Sequence, residues 1–363
     1  MTYSIHDEAL IAISGASPEV RNGAPNHAPM VVETLAALGR GEAAPAWIEA
    51  YRPRLAGGPV HNAAALGENW RAALGDFGLL GAWQNHFRRE LGEASWRDVL
   101  DRWLPRLISG GMAAGTHGII RCGHAARALA DAVTAPRLDE LTDALAYCAA
   151  RYRTISTVPA PEGNLDLETA MQELPLLPPG LDRRGFPPDI VKHLDGRADF
   201  AAAVQRLAPP TDVPAALSEL AEIGARLYLG DATRHPLVLL HAVTGPAAVQ
   251  LLVSNASPEL ASTAFAYAWQ AVAAWAAAFS TGYKSGPIPT TNAGWDDIVD
   301  LAVESGDEHA IKLTEACRRL EALHPSPVFR AAADDWVRRV VESRAWSLQQ
   351  LVEAGIRVRL PDA

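Results

Sequence analysis

The sequence predicts an all-α protein, and three observations carry that prediction. Apolar residues recur three or four positions apart in segment after segment, a spacing that collects them on one face of a helix. Ala, Leu, Arg and Glu fill the chain, and these are strong helix formers. Alternating runs rich in Val, Ile and Thr, which would signal strands, are scarce.

Taken in order, the helical pattern covers 79–91, 97–108, 138–152, 214–227, 257–279, 295–303, 307–323 and 327–343. Local signals agree with these bounds. Ser257-Pro258-Glu259 places a cap, a proline at the first helical position and an acid in the first turn. Asp307 and Glu308 open another helix, whose last turn is expected to carry Arg318 and Arg319 against the macrodipole. The segment 157–190 departs from the pattern, with Pro159, Pro161, Pro175, Pro178, Pro179, Pro187 and Pro188 and little periodicity. It reads as a long loop folded over the body like a lid, since no change of composition separates its flanks; a linker between two helical halves is the alternative. The expected organisation is one large helical domain over 1–363.

Composition then narrows the function classes. The net charge is −10 on 363 residues, and no cationic stripe is available for a nucleic-acid backbone. The first residues hold no basic region before an apolar one and carry Asp7 and Glu8, so no signal peptide is read there. Cys122, Cys148 and Cys317 are odd in number and lie in apolar helical surroundings, which disfavours a disulfide framework and makes the cytoplasm the expected compartment. Two apolar stretches, 236–254 and 260–280, are long enough to raise the question of a membrane span. The first holds His241, a Gly245-Pro246 break and Gln250; the second is built on Ala, with Ser262, Thr263 and Gln270 inside and no basic flanks. Buried core helices and no membrane partner are the expectation.

Common catalytic signatures are missing. Gly75-Asp76-Phe77-Gly78-Leu79-Leu80-Gly81 has the wrong spacing for a dinucleotide fingerprint and no strand before it. No CxxC, P-loop, HExxH or GxSxG occurs. One ExxH, Glu321 with His324, stands alone, whereas a di-iron bundle needs two.

Histidine and lysine remain. His27, His117, His241 and His309 sit among apolar or small residues, where each reads either as a hydrogen-bonded core histidine or as a metal ligand offered from its own helix. The chain has three lysines, Lys192, Lys284 and Lys312. Lys312 follows His309 by three positions and shares its helix face with Leu313, Ala316 and Leu320. Two readings stand open. The side chain reaches the surface or pairs with Glu308 or Glu315; or it is buried as a neutral amine, able to act as a base or to form a carbamate with carbon dioxide. Trp83, Trp103, Trp269 and Trp275 are plain core or the lining of an aromatic pocket.

Four ordered segments carry a resemblance: Asn26-His27-Ala28-Pro29-Met30 with Glu33 and Leu35; His117-Gly118-Ile119-Ile120-Arg121-Cys122-Gly123-His124-Ala125; His241-Ala242-Val243-Thr244-Gly245; and Asp307-Glu308-His309-Ala310-Ile311-Lys312. In these the chain resembles the questin oxidase-like family of aromatic polyketide pathways. The resemblance implies an oxygenase that acts on an anthraquinone-like polyketide with O2 and cleaves a carbon–carbon bond or ring. Two further options accompany it: an NADPH-dependent Baeyer–Villiger oxidase of such substrates, and a non-catalytic helical accessory protein. A hydrolytic zinc or manganese enzyme on the same residues is a third.

In the iron-dependent members that it resembles, Fe(II) is held by histidines and a carboxylated lysine. The resemblance places these at His27, His117, His241, His309 and Lys312. His124 is implied on the substrate side as a candidate catalytic residue, and Asn26, Thr116 and Thr244 as groups that orient the imidazoles. NADPH is expected at most as a diffusible reductant, with no haem and no tightly bound flavin. This chain is shorter than the fungal enzymes, so its lid and pocket need not match theirs and its substrate need not be an anthraquinone.

Overall fold

The structure, a computed structural model, describes residues 4–58, 66–67, 69–155, 160–231, 234–287 and 289–353, with side chains described as far as 343. It is a helical domain, as the apolar spacing predicts. The chain begins with α1 (Ser4–Ile13), the strand β1 (Ala16–Val20), α2 (Ala28–Ala37), α3 (Ala44–Tyr51) and the strand β2 (Leu55–Gly57). The two strands pair antiparallel, with Ala16 opposite Gly57 and Val20 opposite Leu55. This ribbon has no counterpart in the sequence reading, because five residues containing Pro18 and three containing Gly57 are too short to show an alternation.

Next come α4 (Leu80–Glu93), α5 (Trp96–Leu107), α6 (His117–Asp131) and α7 (Ala135–Ala150). Three short helices follow, α8 (Leu167–Gln172), α9 (Pro187–Val191) and α10 (Ala198–Gln205), then α11 (Val213–Asp231), α12 (Pro236–Leu239) and α13 (His241–Val253). The chain closes with α14 (Ala261–Phe279), α15 (Trp295–Ser305), α16 (Glu308–Leu323) and α17 (Pro327–Glu353).

The proline-rich segment is a strap rather than a linker. Its residues Thr157, Val158 and Pro159 lie outside the described residues; the remainder contains α8, which packs on α11, and most of α9, which packs on α14. There the Leu177 N–H donates to the Ala277 carbonyl at 2.8 Å, and Arg183 donates to the carbonyls of Leu177, Pro178 and Leu181.

α13 is the central element, packed against α6, α11, α14 and α16. Two glycines make that possible. A Cβ on Gly123 of α6 would lie 2.6 Å from the Ala248 carbonyl oxygen, and one on Gly224 of α11 would lie 2.2 Å from that of Ala242. Only a residue without a side chain lets those backbones close on α13. The apolar run Pro236–Val253 is long enough to cross a bilayer, yet 72% of it is buried inside the protein, as in a core helix. α14 is likewise buried along most of its length.

Two end signals differ in detail. Ser257 does stand at a cap position, but its side chain makes no capping bond and a single 3₁₀ turn, Pro258–Leu260, precedes α14. α16 ends at Leu323 as the spacing predicts, but Arg318 and Arg319 lie before its last turn. Arg319 instead donates to Glu315 at 3.0 Å and to Gln250 at 2.7 Å. Asp307 caps α16 as expected, accepting from the backbone N–H groups of His309 and Ala310. The three cysteines are free and buried.

Candidate metal centre

Four helix beginnings meet at one place. His27 precedes α2, His117 and His241 are the first residues of α6 and α13, and His309 lies in the first turn of α16. His27 comes from the smaller N-terminal core around α1 to α3, whereas α6 and α13 belong to the main core. The four rings therefore close a seam between two packed bodies. Ring centroids of His27 lie 4.8 Å from His117 and 4.6 Å from His309; His241 lies 4.8 Å from His117 and 5.7 Å from His309. The nitrogens that His27, His117 and His309 can offer all lie within 4.8 Å of one another.

Backbone carbonyls aim two of these rings. His117 Nδ1 donates to the carbonyls of Ala114 at 2.9 Å and Gly115 at 3.1 Å. This is the work of a tight left-handed turn, with φ of 48° at Ala114, 65° at Gly115 and 72° at Thr116. A non-glycine residue pays about 1–2 kcal/mol for that conformation, and here it folds two carbonyls back onto the ring. His241 Nδ1 donates to the carbonyl of Leu237 at 2.9 Å, with that of Val238 at 3.3 Å. A carbonyl can only accept, so both Nδ1 atoms carry the proton and both Nε2 atoms carry a lone pair. Those two Nε2 atoms face each other at 3.3 Å.

The site keeps its imidazoles neutral. Burial pushes His241 down to about 4, with the nearby Lys312 charge adding to the effect. Burial and then Lys312 hold His27 and His309 well below the usual histidine range. Burial, His241 and Lys312 do the same to His117. The positive ends of four helix dipoles work in the same direction.

Lys312 is buried at 3% exposure, so it does not reach the surface. Neither does it pair with Glu308, which takes two hydrogen bonds from Arg54, at 2.8 and 3.0 Å, nor with Glu315, which is bound by Arg127 and Arg319. Its Nζ lies 2.8 Å from His27 Nδ1. Burial lowers its pKa to about 8, against the opposing pull of Glu308 and Asp307.

Of the residues expected to orient the imidazoles, Thr116 belongs to the left-handed turn that aims His117, whereas Asn26 fixes backbone. Asn26 bonds the Ser17 carbonyl and the Ala28 N–H, fixing the chain ahead of α2 rather than a ring. Thr116 Oγ1 donates to the Gly115 carbonyl at 2.6 Å. Thr244 is buried on α13. Groups that the sequence reading does not single out hold the backbone at His27. Tyr51 accepts the His27 backbone N–H at 3.1 Å, and Arg54, bound to Glu308, lies 4.5 Å over the Tyr51 ring. Of these, only the Ala-Ala-Gly-Thr run before His117 leaves a mark in the sequence, as a turn.

His124 stands two helical turns beyond His117, about 10 Å along α6, and joins a different structure. Its Nδ1 bonds Glu33 at 2.7 Å; Arg127 bonds both oxygens of Glu33 and bridges to Glu315. Burial opposes the Glu33 charge, but Arg127 and His124 outweigh it and keep the carboxylate ionised. Glu321 and His324 do not form a metal pair: His324 bonds Glu222 at 2.8 Å, while Glu321 takes Trp295 and Arg330.

The donors fit a metal ion. With ligand bonds of about 2.0–2.2 Å, two donors on one ion lie roughly 3–4.4 Å apart. The facing Nε2 atoms of His117 and His241 are within that range, and the 4.8 Å triad needs to contract by less than an ångström. Neutral imidazole suits first-row transition metals.

A small apolar pocket of about 20 Å³, room for about one water, lies between His241 and α14, with Thr116, Gly245, Tyr267 and Trp275 on its walls. Of the four tryptophans, Trp275 alone lines it; Trp83, Trp103 and Trp269 are core residues.

No curated protein matches the chain. A family model does: the questin oxidase-like model matches residues 25–317, a span that includes all four clustered histidines, His124 and Lys312. That match marks the protein as an oxidoreductase, and the chain belongs to the questin oxidase-like family.

Proposed function

We propose that this protein is a non-haem iron oxygenase that uses O2 to cleave a ring of a polycyclic aromatic carbonyl compound of the anthraquinone type. The observation that carries the reading is the pair of lone pairs on His117 and His241. Both rings are locked by backbone carbonyls so that two acceptors face each other at 3.3 Å inside a dry core. Such an arrangement is repulsive on its own and becomes favourable around a shared cation.

His27, His117, His241 and His309 would hold the ion, and Lys312 would complete the set. A neutral Lys312 Nζ can attack the carbon of CO2, forming an N–C bond and releasing one proton, to leave a carbamate with anionic oxygens. With a pKa of about 8, roughly a tenth of the amine is neutral at pH 7 and available for that step. Four helix N-termini favour an anion at this place. Iron bound there would supply the redox chemistry that O2 activation needs.

The chain's other contribution is exclusion of water. The side chains beside His241, among them Ile119, Val249, Val272 and Trp275, are apolar, which suits a reaction shielded from solvent.

The test is oxygen uptake by the iron-loaded protein with an anthraquinone carrying free hydroxyls, followed with labelled O2. Uptake coupled to a ring-opened product carrying the label supports the reading. Turnover that proceeds equally under anaerobic conditions, or with zinc in place of iron, contradicts it.

A further inference from the structure

The chain carries a net charge of −10, yet one cleft gathers cations. It holds about 740 Å³ and lies between the strap, the end of α14 and the residues that precede α12. Arg183, Arg197, Arg234 and His235 line it, and among the described residues no carboxylate does. Arg197 is neutralised by Asp199, to which it donates from Nε at 3.0 Å and from a second nitrogen. The other two arginines keep their charge. Arg183 spends its hydrogen bonds on the carbonyls of Leu177, Pro178, Pro179, Leu181 and Ala278, which bolts the strap to α14 without cancelling the guanidinium. The exposed Arg234 side chain has no hydrogen bond or ion pair among the described residues. Both stand near His235, where burial and then their charges lower the imidazole's pKa against the pull of Asp231. Asp231 is buried and occupied by the backbone N–H and the hydroxyl of Thr281, at 2.6 and 3.0 Å. The remaining walls are largely apolar, with Leu176 and Leu181 from the strap and Phe279 from α14, whose ring lies 5.3 Å from that of His235.

We propose that this cleft is a binding site for a small aromatic carboxylate, whose anion is held by Arg234 in the field of Arg183 and whose ring rests on Phe279 and the leucines of the strap. Uncompensated cations beside open space favour an anion. The guanidinium of Arg234 has its fork of donors available to take a carboxylate by two parallel hydrogen bonds. A bare inorganic ion would leave the apolar walls wet, and a neutral aromatic would leave both charges unanswered. The volume is that of an ordinary small-molecule site. The cleft shares no wall residue with the pocket beside His241, so the assignment stands apart from the metal centre and from the reaction proposed there.

The experiment compares binding of 2-naphthoate and 2-naphthamide, which share a bicyclic body and differ in charge. Affinities are measured by calorimetry on the full-length wild-type protein, on Arg234→Gln, and on Arg88→Gln as a control at an exposed arginine of α4. The wild type is expected to prefer the carboxylate by about tenfold, as a charged hydrogen bond at a solvent-open site allows, and to lose part of that preference as salt is raised. Arg234→Gln is expected to remove the preference while holding the amide within about twofold, and Arg88→Gln to change neither. Equal binding of the two compounds by the wild type, binding of neither, or a preference that survives in Arg234→Gln overturns the assignment; the last result would place the carboxylate elsewhere on the protein. Inorganic phosphate is the final competitor. Displacement of naphthoate by phosphate at concentrations no higher than naphthoate's own Kd would show a bare ion site and overturn the aromatic part of the proposal, whereas displacement only at far higher concentrations supports it.

Discussion

Lys312 Nζ lies 2.8 Å from His27 Nδ1, although 285 positions separate the two residues in the chain. The contact joins α16 to the start of α2 across the seam between the two cores. An ammonium and an imidazole are both normally cationic or wet, and here both are buried. Such a pair persists only if the amine is easily neutralised or the rings are wanted for their lone pairs.

Replacing the lysine separates these roles. In metal-free protein, Lys312→Met removes a buried amine and is expected to raise stability by about 1–4 kcal/mol, the range seen when buried ionic groups give way to apolar ones. Chemical denaturation measures this. Lys312→Ala is expected to lose metal binding and to regain part of it on addition of short-chain carboxylates, which can stand in for a carbamate. Lower stability in the methionine variant, or no rescue in the alanine variant, would contradict the neutral-amine role.

The four depressed histidines predict an acid-labile protein. In the unfolded chain a histidine takes up its proton near pH 6.5, whereas His241 in the fold waits until about 4 and the other three are likewise held well below the usual histidine range. Between those limits the unfolded state binds more protons, so stability is full above the unfolded value and is lost as pH falls. His241 alone accounts for about 3 kcal/mol by pH 4. Urea midpoints taken from pH 7.5 to 4.5 on metal-free protein should fall steeply, and less steeply in His241→Gln. A flat profile would mean that the rings are not held neutral.

Gly245 lies in α13, one turn after His241, and a Cβ there would meet nothing within 4 Å. That open space is part of the pocket beside His241. Gly245→Ala should stabilise the helix by about 0.5–1 kcal/mol. Gly245→Leu should overfill a space that holds about one water and lower the urea midpoint relative to Gly245→Ala. A leucine variant as stable as the alanine one would contradict that packing.

Helical periodicity made α4, α5, α7, α11 and α14 to α17 legible, because each buries one face over three or more turns. α12 and α13 were legible only as one buried apolar run without bounds, since a helix buried all round has no polar face to set a period. The Asp307 cap and the His309–Lys312 face were legible because both are local. The convergence of α2, α6, α13 and α16 was not, because it depends on Gly123 and Gly224 letting helices close on α13, and contacts of that kind leave no spacing in the chain. Nor could the sequence distinguish Trp275 from the other tryptophans. All four read as buried aromatics, and only the fold puts Trp275 beside His241.

The strut around His124 is predicted to hold the fold rather than to react. Arg127 neutralises two buried carboxylates, Glu33 and Glu315, so Arg127→Met should cost about 3–5 kcal/mol. His124→Gln should cost about 1–2 kcal/mol and leave kcat within about threefold. A fall in kcat of a hundredfold or more at unchanged stability would instead give His124 the catalytic part that the sequence resemblance implies.

The most direct test of the centre as a whole is the iron content of the protein purified from cells supplied with iron, set against that of Lys312→Ala and of the double variant His117→Ala, His241→Ala. The expected result is about one iron per chain in the wild type and none above background in either variant, with all three proteins folded by circular dichroism. A wild-type protein free of metal, or an iron content indifferent to these substitutions, would contradict the metal centre and the function built on it.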